Sequence, residues 1–214
     1  FGDINQDQKP DIVVSNLGGE LLLESVDDGS WIETDAVRGL LHNNSDLNFP
    51  YVTWGIEFAD IDHDRDLDVV MTAGARLKQV DKSEPWNQPD AIFINKNGSY
   101  ESRGDEWGFD NDNNNRGLAV VDLNEDGFLD FIVRSVDNHT RVVMQRCTEK
   151  NWIKVSLQQS GVNRDAIGAK VVLRQAGGPQ ERYVMAGGTS LSASLPAQVH
   201  FGLDGVETVY KLQV

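Results

Sequence analysis

At 214 residues, with a formal net charge of −15 and 39% hydrophobic residues, the chain has enough length for one large domain or two ordinary ones. No run of 18 apolar residues occurs, which excludes a membrane-spanning helix. The lone Cys147 excludes an internal disulfide framework and a cysteine-rich zinc site. The acidic balance argues against nucleic acid or anionic lipid as partners, because both need clustered Lys and Arg.

The acids are biased in kind and in place. There are 23 Asp against 11 Glu, the reverse of what a solvated helical surface favours. Asp and Asn belong instead to turns and to oxygen-ligand sites. Residues 1–150 carry a net −17 and residues 151–214 a net +2, which places a domain boundary near Lys150. Phe1 opens directly on a motif and Val214 stops inside an alternating apolar run. The chain is therefore expected to be part of a longer protein, and the missing signal peptide carries no information on secretion.

Along the chain, one pattern recurs three times: Asp-x-Asx-x-Asp-x-x-x-Asp followed by three apolar residues. It comprises Asp3, Asn5, Asp7 and Asp11 before Ile12–Val14, then Asp60, Asp62, Asp64 and Asp68 before Val69–Met71. The third copy is Asp122, Asn124, Asp126 and Asp130 before Phe131–Val133. Strand-like runs at 51–59 and 116–121 enter the second and third loops. Asp28-Gly29 and Asn97-Gly98, each between short apolar runs, read as hairpin turns. No segment sustains a helical period. The prediction is an all-β chain: a partial β-propeller of about three blades over 1–148, then a small β domain over 151–214. Three blades are fewer than a closed ring needs, which again implies a longer protein.

The loop spacing asks for calcium. Positions 1, 3 and 5 of a tight loop aim their side chains at one centre. Position 7 (Lys9, Asp66 or Phe128) offers a backbone carbonyl, and position 9 returns a carboxylate. So many hard oxygen donors suit Ca²⁺ better than Mg²⁺, which keeps more of its water, and the lack of imidazole and thiolate argues against zinc and copper. An EF-hand would need Glu at position 12, where Val14, Met71 and Val133 stand instead. Up to three Ca²⁺ are expected. Only the third loop has Gly at position 6 (Gly127); Gln8 and Arg65 there suggest looser turns, with the Arg65 side chain pointing away. The Asp66 side chain either faces solvent or strengthens the second site. No cation is expected close enough to neutralise the loop carboxylates.

These residues resemble the FG-GAP/VCBS repeat, the calcium-loop blade also found in integrin α-subunit propellers. Phe1-Gly2-Asp3, Phe58-Ala59-Asp60 and Val120-Val121-Asp122 match that family's approach to its first Asp. A second resemblance covers the remainder. Asn151-Trp152, the 163–171 string with Ala166-Ile167-Gly168-Ala169, and Val199-His200-Phe201-Gly202-Leu203 are similar to the ASPIC/UnbV domain. That domain follows FG-GAP repeats in bacterial secreted proteins and in the cartilage acidic protein family. The two resemblances together imply an extracellular or cell-surface location.

No catalytic signature is present: no His-Glu-x-x-His, Gly-x-Ser-x-Gly, phosphate loop or dinucleotide fingerprint. His63 is expected to be solvated and His200 packed in its strand. Arg164 and Asp165 are expected to pair across a turn. Residues 110–114 read as an inter-blade turn rather than a fourth site. Asn43, Asn97 and Asn138 open glycosylation triplets, which matter only in a secretory eukaryotic host. Trp31, Trp54 and Trp107 read as packing aromatics, and Trp86 as the one suited to a ligand. The expected function is a calcium-stabilised extracellular binding or adhesion module without catalysis, with a protein or glycan partner and no assigned oligomeric state. The alternative is an accessory part of a secreted polysaccharide-processing enzyme, since paired carboxylates can perform glycoside chemistry.

Overall fold

The computed structural model describes residues 1–44, 49–76, 85–146, 150–188, 190 and 193–214. Each Asp-rich segment joins the first two members of an antiparallel meander. In the first, Gly2 bridges to Asp11, and β1 (Ile12–Val14), β2 (Leu21–Ser25) and β3 (Trp31–Glu33) follow in order. A single helical turn, α1 (Asp35–Arg38), and a two-residue pair, β4 (Asn43–Asn44) with β5 (Phe49–Pro50), lead onward.

The second meander comprises β6 (Thr53–Ala59) and β7 (Asp68–Ala73), then β9 (Ala91–Lys96) and β10 (Ser99–Ser102). A short strand, β8 (Gln88–Pro89), pairs outside this sheet with β11 (Asp112–Asn113). The third meander is β12 (Asn115–Val121), β13 (Asp130–Ser135) and β14 (Arg141–Val143). Turn chemistry follows the sequence at the second hairpin, where Asn97 and Gly98 both take the left-handed conformation. That geometry matches strand twist, and Asn-Gly reaches it at little cost.

Strand periodicity explains how the meanders stack. All six residues of β7 are buried, because alternate side chains serve two different cores. Val69 and Met71 join Ile4, Leu22 and Phe93 on the side of the first meander. Val70 joins Ile92, Leu118, Val120 and Phe131 on the side of the third. Burial of these two seams holds the meanders side by side, at about 25 cal/mol per Å² of apolar surface removed from water.

The C-terminal part builds its own core. β15 (Trp152–Ser156) pairs with β18 (Gln198–Gly202), and β16 (Lys170–Gln175) lies between β17 (Gly178–Tyr183) and β19 (Val209–Gln213). Val155, Val171, Leu173, Val199 and Phe201 meet between these sheets. Over the described residues the chain is thus nearly all β, with several sheets and none closed into a barrel. Among the described residues no helix is long and apolar enough to cross a membrane. Cys147 and part of the expected junction near Lys150 lie outside the described residues.

Candidate metal centre

The three loops share one internal hydrogen-bond plan. The ninth-position carboxylates of Asp11, Asp68 and Asp130 are fully buried and bridge two backbone donors each. One oxygen accepts the N–H of loop position 2: Ile4 at 3.0 Å, Ile61 at 2.9 Å and Leu123 at 3.0 Å. The other accepts an N–H from beyond the loop: Ser25 at 3.1 Å, Asn95 at 2.8 Å and Gln145 at 2.9 Å. Oδ2 of the first Asp takes the N–H of position 6, from Gln8, Arg65 or Gly127 at 2.9–3.2 Å. Positions 3 and 5 accept the N–H groups of positions 5 and 7, as short Asx turns.

This plan overturns the expectation of looser turns at Gln8 and Arg65. Position 6 has positive φ in all three loops: 67° at Gln8, 88° at Arg65 and 91° at Gly127. Position 4 does too, at Gln6, His63 and Glu125. Each non-glycine residue so held costs on the order of 1–2 kcal/mol, which the surrounding hydrogen bonds offset.

The loops differ in what stays unsatisfied. Among the described residues, Asp60 Oδ1 and Asp122 Oδ1, equivalent atoms of the second and third loops, are buried without a hydrogen-bond partner. Asp3 Oδ1 instead accepts from Asp7 N–H at 3.0 Å. In the second loop, Asp60, Asp62 and Asp68 each bring a carboxylate oxygen within 4.8 Å of the others. Asp64 lies outside that group. Burial pushes the Asp60 carboxyl up to about 6, with Asp62 adding to the effect and Arg182 opposing it. Burial also raises Asp64 to about 7, helped by the Asp62 charge, and lifts Asp68 well above the carboxylate range. In the first loop burial raises Asp3 and takes Asp11 to about 6. Arg182 gives Asp60 partial counter-charge, but burial outweighs it, and a cation at the centre of these groups would remove the penalty.

Of the three side chains at position 7, none joins that group. Lys9 pairs with Asp27 at 2.6 Å and reaches Asp7 at 3.6 Å. Asp66 accepts from the Gln6 amide at 2.7 Å and from Asn97 N–H at 2.8 Å, tying the first loop and the β9–β10 turn to the second loop. Phe128 stacks on His63, with ring centroids 5.3 Å apart.

The C-terminal sheets sit against the second and third loops. Gly202 N–H donates to Asp60 Oδ2 at 3.0 Å, and Asp204 N–H to the His63 carbonyl at 2.9 Å. The Arg65 guanidinium reaches the carbonyls of Gly177 and Gly178, pointing away from the carboxylates as expected. The Lys154 ammonium lies 3.0 Å from Asp122 Oδ2, and Arg182 lies 4.0 Å from Asp60. The expectation that no cation stands near the loop carboxylates is therefore corrected. So is the solvated His63: it is fully buried, between Phe128 and His200. His200 in turn stacks on Trp152 and bonds the Gly127 carbonyl at 2.8 Å.

Other expectations fall out variously. Trp31 is exposed on β3 rather than packed. Trp54 donates to the Gly74 carbonyl beneath the Arg116 guanidinium, and Trp107 packs on the seam core. Trp86 donates to Asp137 at 2.6 Å. The turn at 163–168 is held by the Asn163 side chain, which bonds both N–H and carbonyl of Ile167, and not by an Arg164–Asp165 pair. Residues 112–113 form β11, as a turn-region strand. Asn138 and Asn97 are described, whereas Ser45 of the first glycosylation triplet lies outside the described residues. The residues that sequence reasoning missed are Lys154, Arg182 and Gly202. The positive charge of 151–214 beside the acidic remainder was the one signal for them.

A family model described as ASPIC and UnbV matches residues 159–214. That match supports the C-terminal resemblance; β15, just before the matched span, pairs with β18 inside it. No curated protein matches the chain. The C-terminal portion is thus similar to the ASPIC/UnbV domain and packs against the second and third acidic loops.

Proposed function

We propose that the chain is a calcium-stabilised, extracellular binding or adhesion module without catalysis of its own. Its three meanders are read as consecutive FG-GAP/VCBS-type propeller blades over 1–148, and its C-terminal β domain as spanning 151–214. The observation that carries this reading is the pair of buried, unpartnered oxygens, Asp60 Oδ1 and Asp122 Oδ1, at one position of two repeated loops. A buried carboxylate oxygen without a donor costs about 1–3 kcal/mol or more, and a hard cation is the partner such an oxygen suits.

In the second loop Asp60, Asp62, Asp64 and Asp68 would hold Ca²⁺ with the Asp66 carbonyl. In the third, Asp122, Asn124, Asp126 and Asp130 would do so with the Phe128 carbonyl. The first loop, with Asp3, Asn5, Asp7, Asp11 and the Lys9 carbonyl, fits less well because both Asp3 oxygens are already occupied. Bound Ca²⁺ would supply charge neutralisation and rigidity. The protein's own residues would present loops and sheet faces to a protein or glycan partner.

Calorimetric titration of the chelated chain with Ca²⁺ and separately with Mg²⁺ tests the cation reading. Two sites or more that prefer Ca²⁺ are expected, and no heat of binding at millimolar Ca²⁺ would remove the reading. A glycan-depolymerisation screen tests the non-catalytic part: turnover abolished by mutating acids outside the loops would favour an enzyme instead.

A further inference from the structure

Within six residues the second loop makes hydrogen bonds from three positions to the C-terminal domain, beside the Arg182–Asp60 pair and the His63–His200 ring contact. Asp60 Oδ2 accepts from Gly202, the His63 carbonyl accepts from Asp204, and the Arg65 side chain donates to Gly177 and Gly178. Asp60 therefore serves two groups at once. Its Oδ2 faces the C-terminal domain, while its Oδ1 is buried and unpartnered in the loop whose carboxylates converge. The side chain is shielded from solvent, so neither oxygen can turn outward to water.

We propose that cation binding in the second loop holds the ASPIC/UnbV-type domain onto the meanders, so that metal and docking are coupled through Asp60. This rests on the reading of that loop as a Ca²⁺ site. The physical link is repulsion. Without a cation the Asp60, Asp62 and Asp68 carboxylates share one centre and push apart. The loop that relaxes is the one presenting Oδ2, the His63 carbonyl and Arg65 to the other domain. With the centre neutralised, those three groups are fixed in the arrangement the docked domain needs. Coupling of this kind is reciprocal, so loss of docking must weaken the cation site by the same factor that loss of the cation weakens docking. Each of these loops also meets a cation of the C-terminal domain, Lys154 at 3.0 Å from Asp122 and Arg182 at 4.0 Å from Asp60, and the Arg182 charge is too distant to neutralise three converging carboxylates.

Amide hydrogen exchange on the whole 214-residue chain, with and without Ca²⁺, reads the proposal at two reporters. The N–H groups of Gly202 and Asp204 both donate across the interface. Chelation should speed their exchange at least tenfold and leave Leu173, in the C-terminal core, unchanged. In parallel, Gly202→Ala places a methyl against Asp60 Oδ2 and the His63 backbone, closer than atoms pack. It should weaken Ca²⁺ binding at one site by roughly tenfold, within the usual range of coupling between sites. Should Gly202→Ala fail to fold, Arg65→Met removes an interface contact without touching a carboxylate and should weaken the same site in the same direction. If Ca²⁺ binds but the two reporters exchange at the same rate with and without it, the coupling is wrong while the cation site stands. If no Ca²⁺ binds at all, both are overturned.

Discussion

In the first loop both oxygens of Asp3 are held by N–H groups of the loop itself, from Asp7 at 3.0 Å and Gln8 at 2.9 Å. In the second, Asp60 spends one oxygen on Arg65 and Gly202 and leaves the other buried with no donor. The two loops nonetheless have the same Asx turns, the same left-handed residues at positions 4 and 6, and the same bridging carboxylate at position 9. Loop shape and the supply of unpartnered oxygens are therefore separate properties. Shape comes from backbone hydrogen bonds within nine residues, whereas the rest of the fold decides which oxygens are left without partners.

The largest test of this contrast is removal of the proposed Ca²⁺. A site that binds only the folded state contributes about 2.7 kcal/mol when free Ca²⁺ is 100 times its Kd. With the second and third loops both occupied, chelation should lower the melting temperature by roughly 10–20 °C for a chain of this size. Equal Mg²⁺ should restore less of it than Ca²⁺. A scanning melt that is unchanged by exhaustive chelation would break the distinction between the loops.

The ninth-position carboxylates should show the opposite behaviour, because their structural duty is shared. Asp11→Ala and Asp68→Ala each strand two backbone donors, at a cost of roughly 2–5 kcal/mol in the presence of chelator. Only Asp68→Ala should also abolish part of the response to Ca²⁺. Denaturant melts with and without Ca²⁺ separate the two effects, and an equal loss of Ca²⁺ response in both variants would erase the contrast.

A pH series supplies the background for these comparisons. Glu20, in the first meander, is pushed by burial up to about 7, with the His42 N–H donating to Oε2 and opposing the shift. Its folded pKa lies above its unfolded value. Its contribution is therefore fully present below about pH 4.5 and is lost as pH rises through about 7. Glu20→Gln should flatten that fall by on the order of 2–3 kcal/mol between pH 4.5 and 7.5. A slope identical to wild type would show that the carboxyl stays solvated. The smallest effect is expected at Lys9, whose pairs with Asp7 and Asp27 are exposed. Lys9→Ala should leave the chelated melting temperature unchanged, because surface pairs exchange one set of solvated contacts for another.

How much was legible beforehand follows the range of the interactions involved. The apolar runs after each loop, the Asn97-Gly98 turn and the scarcity of helix were readable, because strand alternation and turn chemistry are written in neighbouring residues. The exposed Trp31 and the buried His63 were misread for one reason: a side chain's surroundings depend on the sheet packed over it, which local pattern does not name.

The amino-acid sequence alone determined where the three acidic loops lie and which strands they join. Only the tertiary structure decided which loop carboxylates keep an unpartnered oxygen. It also decided that the C-terminal domain would sit over them, through Lys154 on Asp122 and Gly202 on Asp60, 32 and 142 residues apart in the chain. The physical reason is that a carboxylate's burial and its hydrogen-bond donors are supplied by distant segments, while the turn that presents it is closed by its own neighbours.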